Sequence, residues 1–586
     1  MSGCAQSGCN PCKGGVAMSD PYSPKPWMKY YDEHVPHSLE YPGKTYPEVF
    51  REATTYIPTT VAVYYMGREL TYHELDNFSN RFANFLQKTG LKPGDTVGVN
   101  LPNIPAYYIA IIGIQKAGCV MTGVSPLLQP KELEYQLNDS GARFLVTLDA
   151  LFEKVEAVVG KTMVKTVAVA TIADFISPLK RFLGKLLKKI PTGDVHPISG
   201  VEVGHFLEFL QEVPADSVYE GLDPATPCLM QYTGGTTGPP KGAVLTHRNI
   251  VSHMTQMNTW LDMQSNEAPT ILSAFPLFHQ AGLFLAMNTM AVGGTQVAVP
   301  NPRDLDFLIS AIARYRPTAI VNVPTIFLEL LKKPKFQSLD FSGVKWFLSG
   351  AAPFPAEYIK QFEAVVGEGK LIEVLGMTET SPVNTSLPLY GKKKPGSVGI
   401  PLPDTEVKLV DPESGEIVPQ GEPGEFVAKG PQVFTVGYHN KPEETANTLR
   451  DGWICTGDIC TMDEDGYFYV VDRLKDMVIV SGFKVFTRTV DDVLMEHPDI
   501  DMAATIGLPD PRRPGSEIVA TAIVLKPDVE KNEGTKEKIT AYMREKVAPY
   551  KVPKQIEFME ELPLSAVGKV LKRELREQMK SQQSLK

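Results

Sequence analysis

Cysteine is scarce in this chain: seven residues in 586. Four of them, Cys119, Cys228, Cys455 and Cys460, are widely scattered, which excludes a disulfide framework and fits a reducing cytoplasm. The other three, Cys4, Cys9 and Cys12, cluster without an obvious fourth metal ligand, because His34 and His37 stand more than twenty residues further on. A disordered tail with free thiols is expected there. The opening "MSGCAQSGCNPCKGG" lacks an apolar core, so no secretory signal is expected. Long hydrophobic runs are also missing. The uncharged stretch 281–300 is broken by Asn288, Thr289, Gln296 and a Gly-Gly pair, and reads as a buried helix, a turn and a strand. Basic charge is in deficit, 58 Lys and Arg against 68 Asp and Glu, or 58 − 68 = −10. That argues against a nucleic-acid partner.

What is present is an ordinary globular composition, 43% hydrophobic and 22% charged, on a chain long enough for roughly three or four domains or subdomains. Residues 70–90 read as a helix, because Leu75, Phe78, Phe82 and Phe85 recur at helical spacing. Strands are expected at 95–101 and 143–148, with a buried helix at 105–118 between them. The alternation returns at "TQVAVP", "AIVNVP" and "VKWFLSG", the rhythm of a mainly parallel sheet covered by helices. After about residue 396, Gly, Pro and short alternating strands predict a small antiparallel or barrel-like module. The expected division is a lead-in (1–44), a large domain (45–474) of two βα-layered subdomains plus the β-module, and a mobile α+β domain (475–586). Segment 178–191, "PLKRFLGKLLKKIP", reads as an amphipathic cationic helix. It serves either as an outer helix with a solvated cationic face or as a surface that touches anionic lipid.

Chemistry concentrates in five stretches. "YTGGTTGPPKGAVLTH" (232–247) has the glycines, hydroxyls and lysine of a phosphate cradle, yet no GxxxxGK[ST] spacing occurs. "LGMTETSP" (375–382) presents Thr378 beside Glu379, a carboxylate suited to Mg²⁺. "DGWICTGDI" (451–459) places Asp458 in a glycine turn, where an acid can accept both hydroxyls of a ribose. "DRLKDMVIVSGFKVF" (472–486) and "LPLSAVGKVLKREL" (562–575) complete the set. Each is weak singly.

Their joint order resembles the adenylate-forming superfamily of acyl-CoA synthetases, luciferases and peptide-synthetase adenylation domains, over about residues 45–580. The resemblance implies activation of a carboxylate by MgATP to an acyl-adenylate, followed by transfer of the acyl group to coenzyme A. It assigns the β- and γ-phosphates to the loop Thr233, Gly234, Gly235, Thr236, Thr237, Gly238 and Lys241. Thr378 would contact the α-phosphate, and Glu379 would hold Mg²⁺. Gly350, Ala351, Ala352 and the segment before Gly376 would sandwich adenine. Asp458, with Arg473 alongside, would hold the ribose. Lys569 would bridge the carboxylate and the α-phosphate. Lys475 matches the hinge about which the small domain turns, bringing Ser481, Gly482 and Lys484 to the pantetheine tunnel. Two positions depart from the common "YPxEVE" continuation: Thr487 stands for proline and Thr489 for glutamate. Gly234, where many members have serine, is familiar among long-chain members.

His279 and Gly282, in "FPLFHQAGL", fall at the acyl pocket of such enzymes. No acid occurs from Phe275 to Ala286, and an unpaired substrate ammonium would be costly in an apolar pocket, so an amino acid substrate is disfavoured. His279 also reads as a plain core histidine. The N-terminal region and the basic insertion near 180 resemble bacterial medium- and long-chain fatty-acid ligases. An aromatic or alicyclic acid, and operation in reverse to make ATP, remain alternatives. An oxygenase would share every motif, whereas a membrane-associated nucleotide-binding adaptor would be expected to have lost Lys569 or Glu379. A cytoplasmic location, peripheral membrane contact through 178–191 and a homodimer complete the expectations.

Overall fold

The computed structural model describes residues 20–177, 190–217, 221–233, 239–263, 268–481, 483–513, 516–565 and 568–583. The cysteine cluster, most of segment 178–191, the loop 234–238 and Gly482 lie outside them.

The expected helix at 70–90 is Tyr72–Lys88. Thr71 starts it by accepting the Glu74 amide, while the Glu74 carboxylate takes the Thr71 amide at 3.0 Å. Such a reciprocal cap satisfies amides that the first turn leaves without partners. Leu75, Phe82 and Phe85 are buried, and Phe78 is half-buried. Their partner is the Pro105–Lys116 helix, which is buried along its whole length. The two approach so closely that a Cβ on Gly113 would stand 2.9 Å from the Ser79 carbonyl. Lys116 ends in this core. Its ammonium reaches Asp76 at 2.6 Å, Asn80 at 2.7 Å and Ser79 at 2.9 Å, which is how a buried cation is tolerated.

Among the described residues, the strands form two large sheets. One has Thr96–Asn100, Phe144–Leu148 and Thr166–Ala170 in parallel, and continues through Val120–Gly123 into the antiparallel strands Pro227–Thr233, Lys241–Thr246 and, at the edge, Gly437–Tyr438. The other runs Leu371–Leu375, Trp346–Ser349, Ala319–Asn322, Thr270–Ser273, Thr295–Ala298 and Val61–Tyr65, all parallel. Segment 281–300 is the Gln280–Ala291 helix and the Thr295–Ala298 strand, as its pattern predicts. A third, antiparallel sheet contains Glu406–Val410, Gly424–Lys429, Trp453–Met462 and Phe468–Arg473. It is the β-module. The C-terminal α+β unit has Ile500–Pro509, Glu517–Leu525 and Gln555–Met559 as its sheet, with a separate apolar core on each face. No helix among the described residues is long and apolar enough to cross a membrane.

This architecture places function at one edge. The parallel strands Ala319–Asn322, Trp346–Ser349 and Leu371–Leu375 all end on the same side. Their following loops face the C-terminal unit, the usual place for a ligand in such sheets.

Candidate active site

A cavity of about 1050 Å³ lies between those loops and the C-terminal unit. Ala351, Ala352 and Gly376 line it from the large sheet, Asp458 and Arg473 from the β-module, and Gly568 and Lys569 from the C-terminal unit. Residues up to 218 positions apart thus share one wall.

Local geometry explains several residue choices. The turn after Trp346–Ser349 puts Ala351 in the left-handed region, at φ +69°, a strained conformation for a side-chain-bearing residue. Gly376 admits no side chain, since a Cβ there would stand 1.8 Å from the Pro382 carbonyl oxygen. Asp458 and Arg473 face each other across adjacent strands. The Arg473 Nε lies 2.7 Å from Asp458 Oδ1, and Asp458 is buried. The Gly457 amide is held by Glu425 at 2.9 Å, which fixes the turn carrying the acid.

Lys569 comes from a short hairpin in which the Ser565 amide bonds the Lys569 carbonyl at 2.8 Å and Leu564 bridges Val570. Gly568, at φ +68°, presses this hairpin against the Pro324–Leu331 helix. The Lys569 side chain is solvent-accessible through the cavity yet enclosed by protein. Burial, then the like charge of Arg473, pushes its pKa down to about 8, with Asp458 opposing. His279 lies near enough for the charge of Lys569 to add to burial, and its pKa falls to about 4. Its Nδ1 accepts the Ala281 amide at 3.3 Å and so caps the Gln280–Ala291 helix. Gly282 has a packing reason to be glycine, because a Cβ would stand 2.3 Å from the Pro276 carbonyl oxygen.

Beside the cavity, Thr378 and Glu379 occupy a 3-10 turn. Glu379 is buried and accepts a hydrogen bond from the Tyr438 hydroxyl. Burial raises its pKa, while Tyr438, Arg473 and Lys241 act in the other direction. A single buried carboxylate next to an expected phosphate path fits Mg²⁺, which takes one or two carboxylates and otherwise phosphate oxygens and water. Lys241 pairs with Glu444 and lies 5.4 Å from the Tyr438 ring centre. Thr233 and Lys241 are register partners flanking the loop whose five residues, 234–238, lie outside the described set.

Ser481 and Lys484 do not reach this cavity. Ser481 is exposed, and its hydroxyl accepts from Arg513 at 2.8 Å. Lys484 lines a separate cavity of about 310 Å³ with Asp411 and Phe486. Lys475 is exposed, and burial of its surroundings together with Arg473 lowers its pKa. Tyr438, Glu444 and Glu425 were not singled out by the sequence. Each acts through a strand pairing or turn far from its partner in sequence, and no local pattern marks it.

Residues 50–439 match the family model described as AMP-binding enzyme, and 489–569 that of its C-terminal domain. The chain is 37% identical to a long-chain-fatty-acid–CoA ligase of Bacillus subtilis (strain 168), over 95% of this chain and 98% of that protein. It is 36% identical to a feruloyl-CoA synthase of an Amycolatopsis species, over 89% and 96%. Among solved structures, it resembles the anthranilate CoA ligase AuaEII in complex with anthranoyl-AMP, with a TM-score of 0.81 and 27% identity over 93% of this chain and 99% of that one. ATP-bound MatB from Rhodopseudomonas palustris gives a TM-score of 0.79 and 28% identity over 91% and 99%.

Proposed function

Since the chain belongs to the AMP-binding enzyme family and is an AMP-forming acyl-CoA ligase, we propose that its acid is a long straight-chain fatty acid and that the residues above divide the work as follows. A substrate carboxylate oxygen attacks the α-phosphorus of ATP. The bond to the bridging oxygen breaks, and pyrophosphate leaves. Two anions must meet for this, so cations have to be in place beforehand. Lys569 supplies one at the α-phosphate and Lys241 another at the pyrophosphate end, reached by exchanging Glu444 for phosphate. Asp458 accepts the ribose hydroxyls while Arg473 holds it in position. Gly376 and the Gly350–Ala352 turn take the flat faces of adenine. Glu379 would hold Mg²⁺, which neutralises phosphate charge when bound.

In the second step the thiol of coenzyme A gives up its proton to solvent, its sulfur attacks the acyl carbon, and AMP leaves with the electron pair of the acyl–oxygen bond. Lys569 must first vacate the site. Residues 475–586 turn about Lys475 as a unit against 45–474, and the turn brings Ser481, Gly482 and Lys484 to the thiol path. The position of Ser481 and Lys484 away from the cavity is what this two-orientation scheme requires of the orientation seen. Segment 178–191, with five cations and no acid, suits reversible contact with anionic lipid, the source of such an acid.

The observation that carries the reading is the convergence of Lys569, Asp458 and Arg473 on one cavity. The substrate assignment leans on the 37% identity to long-chain ligases. A cyclic acid is the second reading, favoured by the likeness to the feruloyl-CoA synthase and the anthranilate ligase. Pyrophosphate release with MgATP and coenzyme A across acetate, hexanoate, decanoate, palmitate, benzoate and cyclohexanecarboxylate separates them. A maximum at decanoate or palmitate supports the fatty-acid reading, and a maximum on either ring replaces it.

A further inference from the structure

The Thr487–Met495 helix follows the strands Val478–Val480 and Phe483–Val485 in the C-terminal unit, and its N-cap, Phe486, offers no side-chain hydrogen bond. The cap comes from the other side of Lys475. Asp472, on the Phe468–Arg473 strand of the β-module, accepts the Thr487 amide on Oδ2. The Thr487 hydroxyl lies 2.9 and 3.1 Å from the two Asp472 oxygens. That hydroxyl donates to Asp472 and accepts from Lys572 Nζ at 2.7 Å. Arg488 adds a second tie, donating to the Val470 carbonyl at 2.8 Å. Thr487 is wholly buried and Asp472 is 4% exposed. Lys572 belongs to the segment that carries Lys569, three residues earlier.

We propose that Asp472 and Thr487 form a latch that holds the C-terminal unit in the orientation placing Lys569 in the cavity. The latch spans the hinge, so turning about Lys475 must break it; in this respect it rests on the two-orientation reading above. Lys572 bonds the same hydroxyl from within the C-terminal unit, so the Lys569 segment and Thr487 leave the β-module together as the unit turns. A helix N-terminus and a carboxylate attract through the unpaired amides of the first turn. A buried charge-assisted contact of this kind contributes more than an exposed ion pair, so it outweighs the exposed Lys332–Asp501 approach at 3.8 Å, the neighbouring interdomain contact. The common proline at this position has neither the N–H nor the hydroxyl. Thr487 thus gives this chain a tie that a proline-bearing relative lacks. Asp472 and Thr487 are positioning residues, since neither touches the reacting atoms.

Thr487→Pro is the direct test. Proline is tolerated at the first helical residue, and Phe486 already has the extended backbone that a following proline favours (φ −81°, ψ 113°). Thr487→Val keeps the amide and removes the hydroxyl, and Thr487→Ser restores both. Three readouts are compared: pyrophosphate–ATP exchange with the fatty acid, thioester formation from preformed acyl-adenylate, and the distance between spin labels at Tyr56→Cys and Glu560→Cys in a cysteine-replaced background. Thr487→Pro is expected to lower exchange at least ~10-fold, spare or accelerate thioester formation, and spread the label distances beyond the wild-type population. Val should fall between, and Ser should match wild type. Unchanged distances with unchanged exchange overturn the latch, and so does equal loss in both half-reactions with unchanged distances. If the wild-type protein exchanges pyrophosphate with no acid, the functional reading falls, and the label distances still decide the latch.

Discussion

Gly568 sits against Thr325 so closely that a methyl group on its Cα would stand 2.4 Å from the Thr325 hydroxyl oxygen. The contact joins the residue just before Lys569 to the helix Pro324–Leu331 of the large domain. It sets how deeply the lysine enters the cavity. Gly568→Ala adds two costs: a side chain at φ +68°, about 1–2 kcal/mol, and the collision itself. We expect adenylation to fall ~10- to 100-fold while thioester formation from preformed adenylate stays near wild type. Thr325→Ala in the same chain should recover the collision part alone. Full recovery would mean that backbone conformation contributes nothing, and no loss at all would mean that the hairpin docks elsewhere during adenylation.

Lys569 carries a pH signature. With its pKa at about 8 in the free protein, the cation needed for adenylation is lost as pH rises through that value. The specificity constant for ATP in pyrophosphate release should fall tenfold per unit at higher pH, because that quantity reports free-enzyme groups. In the turnover number the same limb should move upward, since a bound triphosphate favours the charged lysine. His279, held near 4, stays neutral throughout and adds no limb between pH 6 and 9. Lys569→Ala should cost at least ~10²-fold, about 2.7 kcal/mol, in adenylation and should abolish the limb. A limb at the same pH in thioester formation from preformed adenylate would sink the assignment.

Glu373 offers a stability test beside the same cavity. It is 3% exposed, with one oxygen accepting the Phe354 amide at 3.0 Å and the other without a partner. Burial raises its pKa from 4.5 to about 7. The folded state therefore holds this proton more tightly than the unfolded state. The stabilisation is complete below pH 4.5 and disappears as pH rises through 7. Glu373→Gln preserves the acceptor for Phe354 and has no charge to bury. Its stability relative to wild type should grow between pH 4.5 and 7 by about 1–3 kcal/mol and then level off. Thermal melting at pH 5, 6, 7 and 8 reads this directly, and parallel curves would show that Glu373 titrates normally.

Much of the framework was legible because it is local. Leu75, Phe82 and Phe85 give Tyr72–Lys88 its buried stripe, and the expected strands at 95–101 and 143–148 appear as Thr96–Asn100 and Phe144–Leu148. The glycines could be noticed in the sequence, but their reasons could not. Gly376 yields to the Pro382 carbonyl and Gly568 to Thr325, contacts set by tertiary packing. Asp458 and Arg473 were both expected near a ribose, and their 2.7 Å pairing follows from strand register. Tyr438, Glu444 and Asp472 were missed because each meets its partner through a fold-dependent pairing. Asp472 stands in the same motif as Arg473 and Lys475, and nothing local marks its partner Thr487 on the far side of the hinge. Thr487 was seen as a departure, and the Asp472 carboxylate supplies its physical reason.

The Tyr438–Glu379 bond separates two roles that one carboxylate could have. If Glu379 serves only as a buried structural acceptor, Tyr438→Phe leaves a desolvated carboxylate with one fewer donor. Its pKa then rises further, because Tyr438 is the foremost group opposing burial. The result would be lower stability with no change in the Mg²⁺ dependence of turnover. If Glu379 holds Mg²⁺, the tyrosine keeps the carboxylate ionised and oriented for the metal. Tyr438→Phe should then raise the Mg²⁺ concentration needed for half-maximal pyrophosphate release by ~10- to 100-fold, and more steeply at low pH, where protonation competes with metal. Glu379→Gln should show the larger defect without that pH dependence, having no proton to lose. Titrating Mg²⁺ at fixed MgATP saturation at pH 6.5 and 8 distinguishes the two. Equal Mg²⁺ requirements in wild type and Tyr438→Phe at both pH values would remove Glu379 from the metal site and leave it a structural role.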